Sequence, residues 1–457
     1  MSLVNEQLSL NSQPLGKGKE LLGQSKLTQS QIEAVHRTIR EVYLSDNRPW
    51  IIGYSGGKDS TTALQLIWYA LRELPPTQLT KPIYVISSDT LVETPVITDA
   101  LYQSLDRMND AAKTQGFPLT AQLVQPPVTE TFWVNMIGRG YPAPYNRFRW
   151  CTDRLKIGPA NKFIQDRVDK HGEVVLVLGV RKSESATRRQ VMELHRRVGH
   201  RLSRHSQLIN AWVFTPIEDW DLPEVWAYLT QVPNPWGNRN HDLVTMYRNA
   251  TGECPLVVDK TTPSCGNSRF GCWTCTVVER DRSMEACIDN GAYWMEHLLD
   301  VRDFLTNTRN PEEKWKYRSH RRRTGRVDTW GDNDEKIIWG PYTMEFRRQI
   351  LEMVLEAQVN VRLEGPDANL SLIQEEELHE IRRIWRAEEG DWEDSLPQIY
   401  QRVVGTKLPW FLEEDGGPTQ LEASVLAQIA AQHELPIGLL RQLLDVERIH
   451  RGMSRRS

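Results

Sequence analysis

The run Gly53-Tyr54-Ser55-Gly56-Gly57-Lys58-Asp59-Ser60 has the residue types that hold phosphate. Paired glycines let successive backbone N–H groups turn inward into an anion nest. Lys58 adds a cation, and Ser55 and Ser60 add hydroxyl donors. The apolar lead-in Trp50-Ile51-Ile52 and the apolar period at Leu64, Ile67, Trp68 and Leu71 predict the order strand, loop, helix. The positive end of that helix then faces the same spot. The loop is not a GxxxxGK(S/T) motif, because Asp59 follows Lys58 where that motif places a magnesium-binding hydroxyl.

A second cluster of chemistry is Cys265, Cys272, Cys275 and Cys287, spaced C-x6-C-x2-C-x11-C in a glycine-containing, loop-like stretch. Four thiolates suit tetrahedral zinc or a [4Fe–4S] cluster, and spacing does not decide between them. Cys151 lies among Arg149, Arg154 and Lys156, cations that lower a thiol's pKa. It reads as a nucleophile or sulfur acceptor, or else as a small residue in a substrate loop. Cys254, in Gly252-Glu253-Cys254-Pro255, reads as structural, with an alternative cluster ligand as the second reading.

These residues need elements to position them. Four further apolar runs read as strands, at 82–87, 121–124, 173–179 and 212–216, with helical patterns between them. That alternation predicts a doubly wound, mostly parallel α/β sheet. The phosphate loop, Asp89 and Gly179-Val180-Arg181 all fall at strand ends, where such sheets bind ligands. A helix is expected from Thr28, with Ile32, Val35, Ile39 and Val42 inward. Residues 1–27 are polar and read as a mobile segment, and 28–237 as the nucleotide domain. Residues 238–330 read as a Cys-rich segment with little periodicity, and 331–457 as a helical C-terminal region.

The 457-residue chain carries a net charge of -4, so bulk charge names no partner. Two stretches are basic, Arg181–Arg204 and Lys314–Arg326. Each is either a solvated face or a phosphate-binding surface. No apolar run approaches the roughly 20 residues that span a bilayer, and the N-terminus lacks a signal-peptide core. A cytoplasmic protein with reduced thiols is expected.

Several stretches carry a resemblance. Ser55–Ser60 resembles the pyrophosphate loop of the N-type ATP pyrophosphatases. Asp89-Thr90-Leu91-Val92-Glu93-Thr94 looks like a shortened D-T-G-x-x-x-E-T stretch of the phosphoadenosine-phosphosulfate (PAPS) reductase family, with Leu91 in place of the glycine. Arg149–Lys156 is similar to that family's R-x-C-x-x-x-x-K loop, and Gly179–Arg188 to its G-x-R-x-x-E-S-x-x-R clamp. Unlike the assimilatory reductases, the chain has no cysteine in its last 170 residues. Over nearly its whole length it resembles the DndC family, the sulfurtransferases of bacterial DNA phosphorothioation. The segment Cys265–Thr276, the stretch 391–397 and the ending 452–456 carry that likeness.

The resemblance implies an adenine nucleotide α-hydrolase-like fold with an iron–sulfur insertion. It implies ATP pyrophosphatase and sulfurtransferase activity on the DNA backbone, a [4Fe–4S] cluster on the four cysteines, and a cysteine desulfurase and other Dnd proteins as partners. The expected nucleotide residues are Ser55, Gly56, Gly57, Lys58, Asp59, Ser60, Asp89, Gly179, Arg181 and Arg188. Lys58, Asp59, Cys151 and Arg181 are expected to take part in catalysis. Mg²⁺ would offset the charge of ATP, with Asp59 and Asp89 as carboxylates for it or as helix-cap and strand-end acceptors. Rival readings are a sulfonucleotide reductase or tRNA-thiolating enzyme on the same fold, a phosphorothioation-system paralogue, and a zinc-stapled DNA-binding subunit that only senses ATP.

Overall fold

The computed structural model describes residues 27–184, 186–195, 201–205, 207–251, 271–330 and 336–408, together with 420–444 save 438, 441 and 442. The chain divides into two compact units, each built from separate segments. The first holds residues up to 126, 152–273 and 280–293; the second holds 127–151, 274–279 and 294 onward.

In the first unit, helix α1 (Gln29–Leu44) starts at a capping box in which Thr28 and Gln31 satisfy each other's backbone N–H groups. Of its expected stripe, Ile32, Ile39 and Val42 are buried and Val35 is half-buried, and His36 and Tyr43 join it. The chain continues through β1 (Trp50–Gly53), α2 (Lys58–Arg72), β2 (Ile83–Ser88), α3 (Pro95–Gln115) and β3 (Leu119–Val124). After the excursion to the second unit come α4 (Gly158–His171), β4 (Val174–Leu178), α5 (Ala186–His195), β5 (Ser203–Arg204), β6 (Ala211–Phe214), α6 (Leu222–Gln231) and α7 (Asn240–Thr251). Helix α8 (Arg282–Asp289) closes the unit.

The six strands form one sheet in the order β3-β2-β1-β4-β6-β5, parallel except for β5. Alternation along the strands fills two cores. Trp50, Ile52, Val85 and Val177 face a large cluster with Trp68 and Trp236. Ile51, Ile86 and Leu176 face a smaller one with Phe163 and Ile164 on α4. Strands buried on both faces explain why the apolar runs in the sequence are nearly continuous.

The second unit is helical: α9 (Glu296–Asn307), α10 (Lys314–Tyr317), α11 (Met344–Glu364), α12 (Glu375–Glu388), α13 (Ser395–Val404) and α14 (Gln420–Gln432). A hairpin of β7 (Asp328–Trp330) and β8 (Lys336–Ile338) interrupts them. Of the apolar face that the spacing predicts on α11, Phe346, Ile350, Val354 and Ala357 are buried and Met353 is half-buried; on α12, Leu378, Ile381 and Ile384 are buried. The stretch read as unperiodic contains α7, α8 and α9. Short, polar helices of this kind give a weak 3.6-residue signal, and tertiary packing determines them.

Candidate nucleotide site and cysteine segment

The loop after β1 closes on itself. Gly56 takes a φ of +71°, which its missing side chain permits. The Ser55 N–H donates to Ser60 Oγ at 3.2 Å, and the two hydroxyl oxygens lie 3.1 Å apart. The Ser60 hydroxyl in turn donates to the Gly57 carbonyl at 3.0 Å. Gly57 is the N-cap of α2 and Lys58 its first residue, so the helix N-terminus opens onto the loop.

The end of β4 fixes the loop from below. A Cβ on Gly179 would lie 2.5 Å from the Asp59 carbonyl oxygen, so only glycine lets the strand approach so closely. Two residues on, Arg181 is buried and its Nε donates to Asp59 Oδ1 at 2.6 Å. Lys58 Nζ sits 3.1 Å from Asp59 Oδ2, which places Asp59 between two cations. Arg181 Nη1 also donates to Ser183 Oγ, whose hydroxyl donates to the Trp220 carbonyl. A residue the sequence did not single out completes the group. Tyr247 on α7 accepts the Lys58 backbone N–H at 3.4 Å, and its ring lies 5.1 Å from the Lys58 ammonium. The sequence signal for Tyr247 is too weak to pick it out, since it is one aromatic on a polar helix.

Asp89 at the end of β2 is fully engaged. Its oxygens accept the Leu91 N–H at 2.8 Å, the Tyr102 hydroxyl at 2.6 Å and Gln125 Nε2 at 2.8 Å. Burial, followed by the Asp89 carboxylate, pushes the Tyr102 phenol up. Leu91, in the place of a glycine, takes a φ of +63°. The segment that follows pairs with the cysteine stretch. Trp273 N–H donates to the Val92 carbonyl at 3.0 Å, and Thr94 N–H to the Gly271 carbonyl at 3.2 Å. This sets the Cys272 sulfur 3.3 Å from Thr90 Oγ1 and 3.7 Å from Glu93 Oε1, the oxygen that Lys156 Nζ also reaches at 3.0 Å. The sequence suggested neither the pairing nor the Cys272–Glu93–Lys156 group.

Among the described residues, Cys151, Cys272, Cys275 and Cys287 form no disulfide. Cys272 and Cys287 belong to the first unit and Cys275 to the second, while Cys265 and Cys254 lie outside the described residues. Burial and then the Asp281 charge push the Cys287 thiol up. In the second unit, buried Arg302 donates to the carbonyls of Cys275 at 3.1 Å and Glu279 at 2.7 Å, and also to that of Val278. Arg309 donates to the Thr276 carbonyl. An arginine on the apolar stripe Leu298, Val301, Leu305 is the sequence signal that could have found Arg302. Thiols are the ligand type of both tetrahedral zinc and an iron–sulfur cluster.

The two basic runs differ. Lys182 pairs with Glu218 and Asp219, Arg201 lies 3.9 Å from Glu41, and Arg204 stacks on Trp212. Arg189 is exposed, and the Arg188 side chain lies outside the described residues, as do Arg196 and Arg197. In the other run Arg321, Arg322, Arg323 and Arg326 are all exposed. Among the described residues no helix is long and apolar enough to cross a membrane.

Residues 49–278 match the model of the phosphoadenosine phosphosulfate reductase domain. An uncharacterized protein of Methanocaldococcus jannaschii is 28% identical over 198 residues, 43% of this chain. The match spans 35% of that relative's length. Three solved structures are similar over part of the chain. A PAPS reductase from Candida auris, in a phosphate complex, shares 18% identity over 45% of this chain and 88% of its own, with a TM-score of 0.27. The U34-tRNA thiolase of Methanococcus maripaludis, with its [4Fe-4S] cluster, shares 16% over 47% and 72%, with a TM-score of 0.29. An FMN adenylyltransferase of Candida glabrata, with FMN and an ATP analogue, shares 13% over 46% and 61%, with a TM-score of 0.27.

Proposed function

The chain belongs to the phosphoadenosine phosphosulfate reductase domain family, and from that premise we propose that it is an ATP pyrophosphatase and sulfurtransferase that acts on the DNA backbone. The observation that carries the nucleotide half is the Ser55–Ser60 loop, seated on Gly179 and braced by the Asp59–Arg181 pair. ATP, with Mg²⁺, lies with its phosphates over the loop. A non-bridging oxygen of a DNA phosphate attacks the α-phosphorus; a new P–O bond forms and the α–β anhydride bond breaks. Lys58 and the α2 N-terminus stabilise charge on the departing pyrophosphate. A sulfur nucleophile then attacks the adenylylated DNA phosphorus: a P–S bond forms and the P–O bond to AMP breaks, and where the sulfur arrives as a persulfide a second thiol cleaves its S–S bond and leaves as the disulfide with the carrier.

Arg181 positions Asp59, and through it Lys58, by the 2.6 Å contact. Asp89 takes the strand-end role in this reading, since its oxygens already hold Leu91, Tyr102 and Gln125. Cys151 is the candidate persulfide carrier. Cys265, Cys272, Cys275 and Cys287 would hold a [4Fe–4S] cluster, whose chemistry when bound is to bind and supply sulfur. A cysteine desulfurase and other Dnd proteins are the partners this reading requires.

The test is pyrophosphate release and product analysis with the full chain. Wild-type protein should release pyrophosphate from ATP in a DNA-stimulated reaction and yield phosphorothioate DNA with its sulfur donor. Lys58→Ala should abolish release with the melting temperature retained. Normal turnover by Lys58→Ala would remove the loop from the site. Sulfite or thiolated tRNA as the product would replace the DNA reading.

A further inference from the structure

We propose that the exposed edge made by α10 and the Arg321–Arg326 turn binds nucleic acid that carries an unpaired base, with the arginines on backbone phosphates and Trp315 stacked on the base. The inference deepens the DNA reading above and rests on it. It starts from the division of labour within one short basic stretch of the second unit. Tyr317 anchors the single turn of α10: its ring lies 4.8 Å from Phe346, and its carbonyl accepts the Thr343 N–H at 3.0 Å. Residues two apart on a helix point to opposite sides. Fixing Tyr317 inward therefore leaves Trp315 outward, and that indole is 64% exposed.

The charges in the stretch divide the same way. Arg318 is turned inward, donating to the Gly340 carbonyl at 2.8 Å and to that of Trp339, and its burial pushes its pKa down. Lys316 pairs with Glu313 at 2.6 Å and lies over the Trp315 ring at 5.8 Å. Past Arg318 the chain makes a tight turn. Arg322 N–H donates to the Arg326 carbonyl and Gly325 N–H to the Arg322 carbonyl, both at 2.8 Å, with Gly325 at a φ of +80°. The turn is pinned from behind, because a Cβ on Gly340 would lie 1.8 Å from the Arg321 carbonyl oxygen.

Four guanidiniums are thus displayed on a fixed backbone. Two of them make loose, exposed ion pairs, Arg322 with Asp328 and Arg323 with Glu388, each at 3.6 Å, which a phosphate can replace. A row of cations beside an exposed indole matches a strand whose bases are unstacked, since every base offers a π-face to an aromatic platform. A closed duplex offers Trp315 no such face.

The experiment is fluorescence anisotropy with the full chain and a labelled single-stranded DNA, at a series of salt concentrations, beside the same sequence as a duplex. Trp315→Ala should weaken single-strand binding about tenfold and leave the salt slope unchanged. Trp315→Phe should restore most of the affinity. Arg321→Ala with Arg326→Ala should lower the salt slope by about 1.4, roughly 0.7 for each single-strand phosphate no longer neutralised. Melting curves check that the variants fold. Variants that bind like wild type, or a polyglutamate that competes as well as DNA, would overturn this edge alone. A wild-type chain that binds neither form of DNA would overturn the DNA reading itself, and this edge with it.

Discussion

The nucleotide loop of the first unit and the arginine turn of the second are both cation-bearing loops held by a glycine under a backbone carbonyl. They treat their charges in opposite ways. Around the loop, Asp59 lies between Lys58 and Arg181, the guanidinium of Arg181 buried and the carboxylate half-buried. In the turn, four arginines are exposed, and Arg322 and Arg323 make only loose, exposed ion pairs. A buried, neutralised arrangement orients donors before a ligand arrives, which suits chemistry on one small anion. An exposed set attracts a long polyanion and responds to salt. The difference teaches that basic residues in a sequence are not one class; the partner each finds in the fold decides its use.

The comparison can be broken most sharply at its two glycines. Gly179→Ala would drive a methyl group into the Asp59 carbonyl, and ATP-dependent pyrophosphate release should fall at least about 100-fold, because small misplacements at a reacting centre cost that much. DNA affinity should hold in that variant. Gly340→Ala should do the reverse, weakening DNA binding while pyrophosphate release without DNA is unchanged; a shared loss would erase the distinction.

Buried charge sharpens it next. Arg181→Ala takes one of two cations from the half-buried Asp59, and urea melts should show a loss of about 1.5–3 kcal/mol that added salt alters little. Glu377 on α12 is the contrary case, a buried carboxyl with no ion pair among the described residues, which accepts the Gln374 N–H. Burial pushes its pKa up to about 7. Its folded pKa exceeds the ordinary carboxylate value, so the stability it contributes is complete below that value and is lost as pH rises through about 7. Melts at mildly acidic and mildly alkaline pH should differ by up to about 3 kcal/mol, and Glu377→Gln should flatten the difference. The smallest effect belongs to the surface. Arg280 makes two 2.9 Å contacts to Glu285 but is 75% exposed, so Arg280→Ala should cost under about 1 kcal/mol and nothing at high salt.

Much of the first unit is legible in the sequence. Period-2 and continuous apolar runs give β1, β2, β4 and β6 to within a residue or two, because burial on both faces leaves no ambiguity of type. β3 begins two residues earlier than expected, at Leu119, β6 one residue earlier, at Ala211, and β5 is too short to leave a pattern. The glycine loop is legible because its backbone demands are local. Helices α7, α8 and α9 are not, since their apolar faces are short and packing selects them.

By itself the sequence determined the doubly wound fold, the glycine loop between β1 and α2, and the thiol and arginine inventory. Each follows from backbone geometry or side-chain chemistry within a few neighbouring residues. Tertiary structure alone decided which charges meet. It placed Arg181 on Asp59, 122 residues away in the chain, and Cys272 beside Glu93, at a separation of 179. It also turned Arg318 inward while leaving Arg321 out, three residues later. The physical reason is range. Turns and strands are set by contacts along the chain, whereas a charge's environment is set by what the fold brings against it from elsewhere.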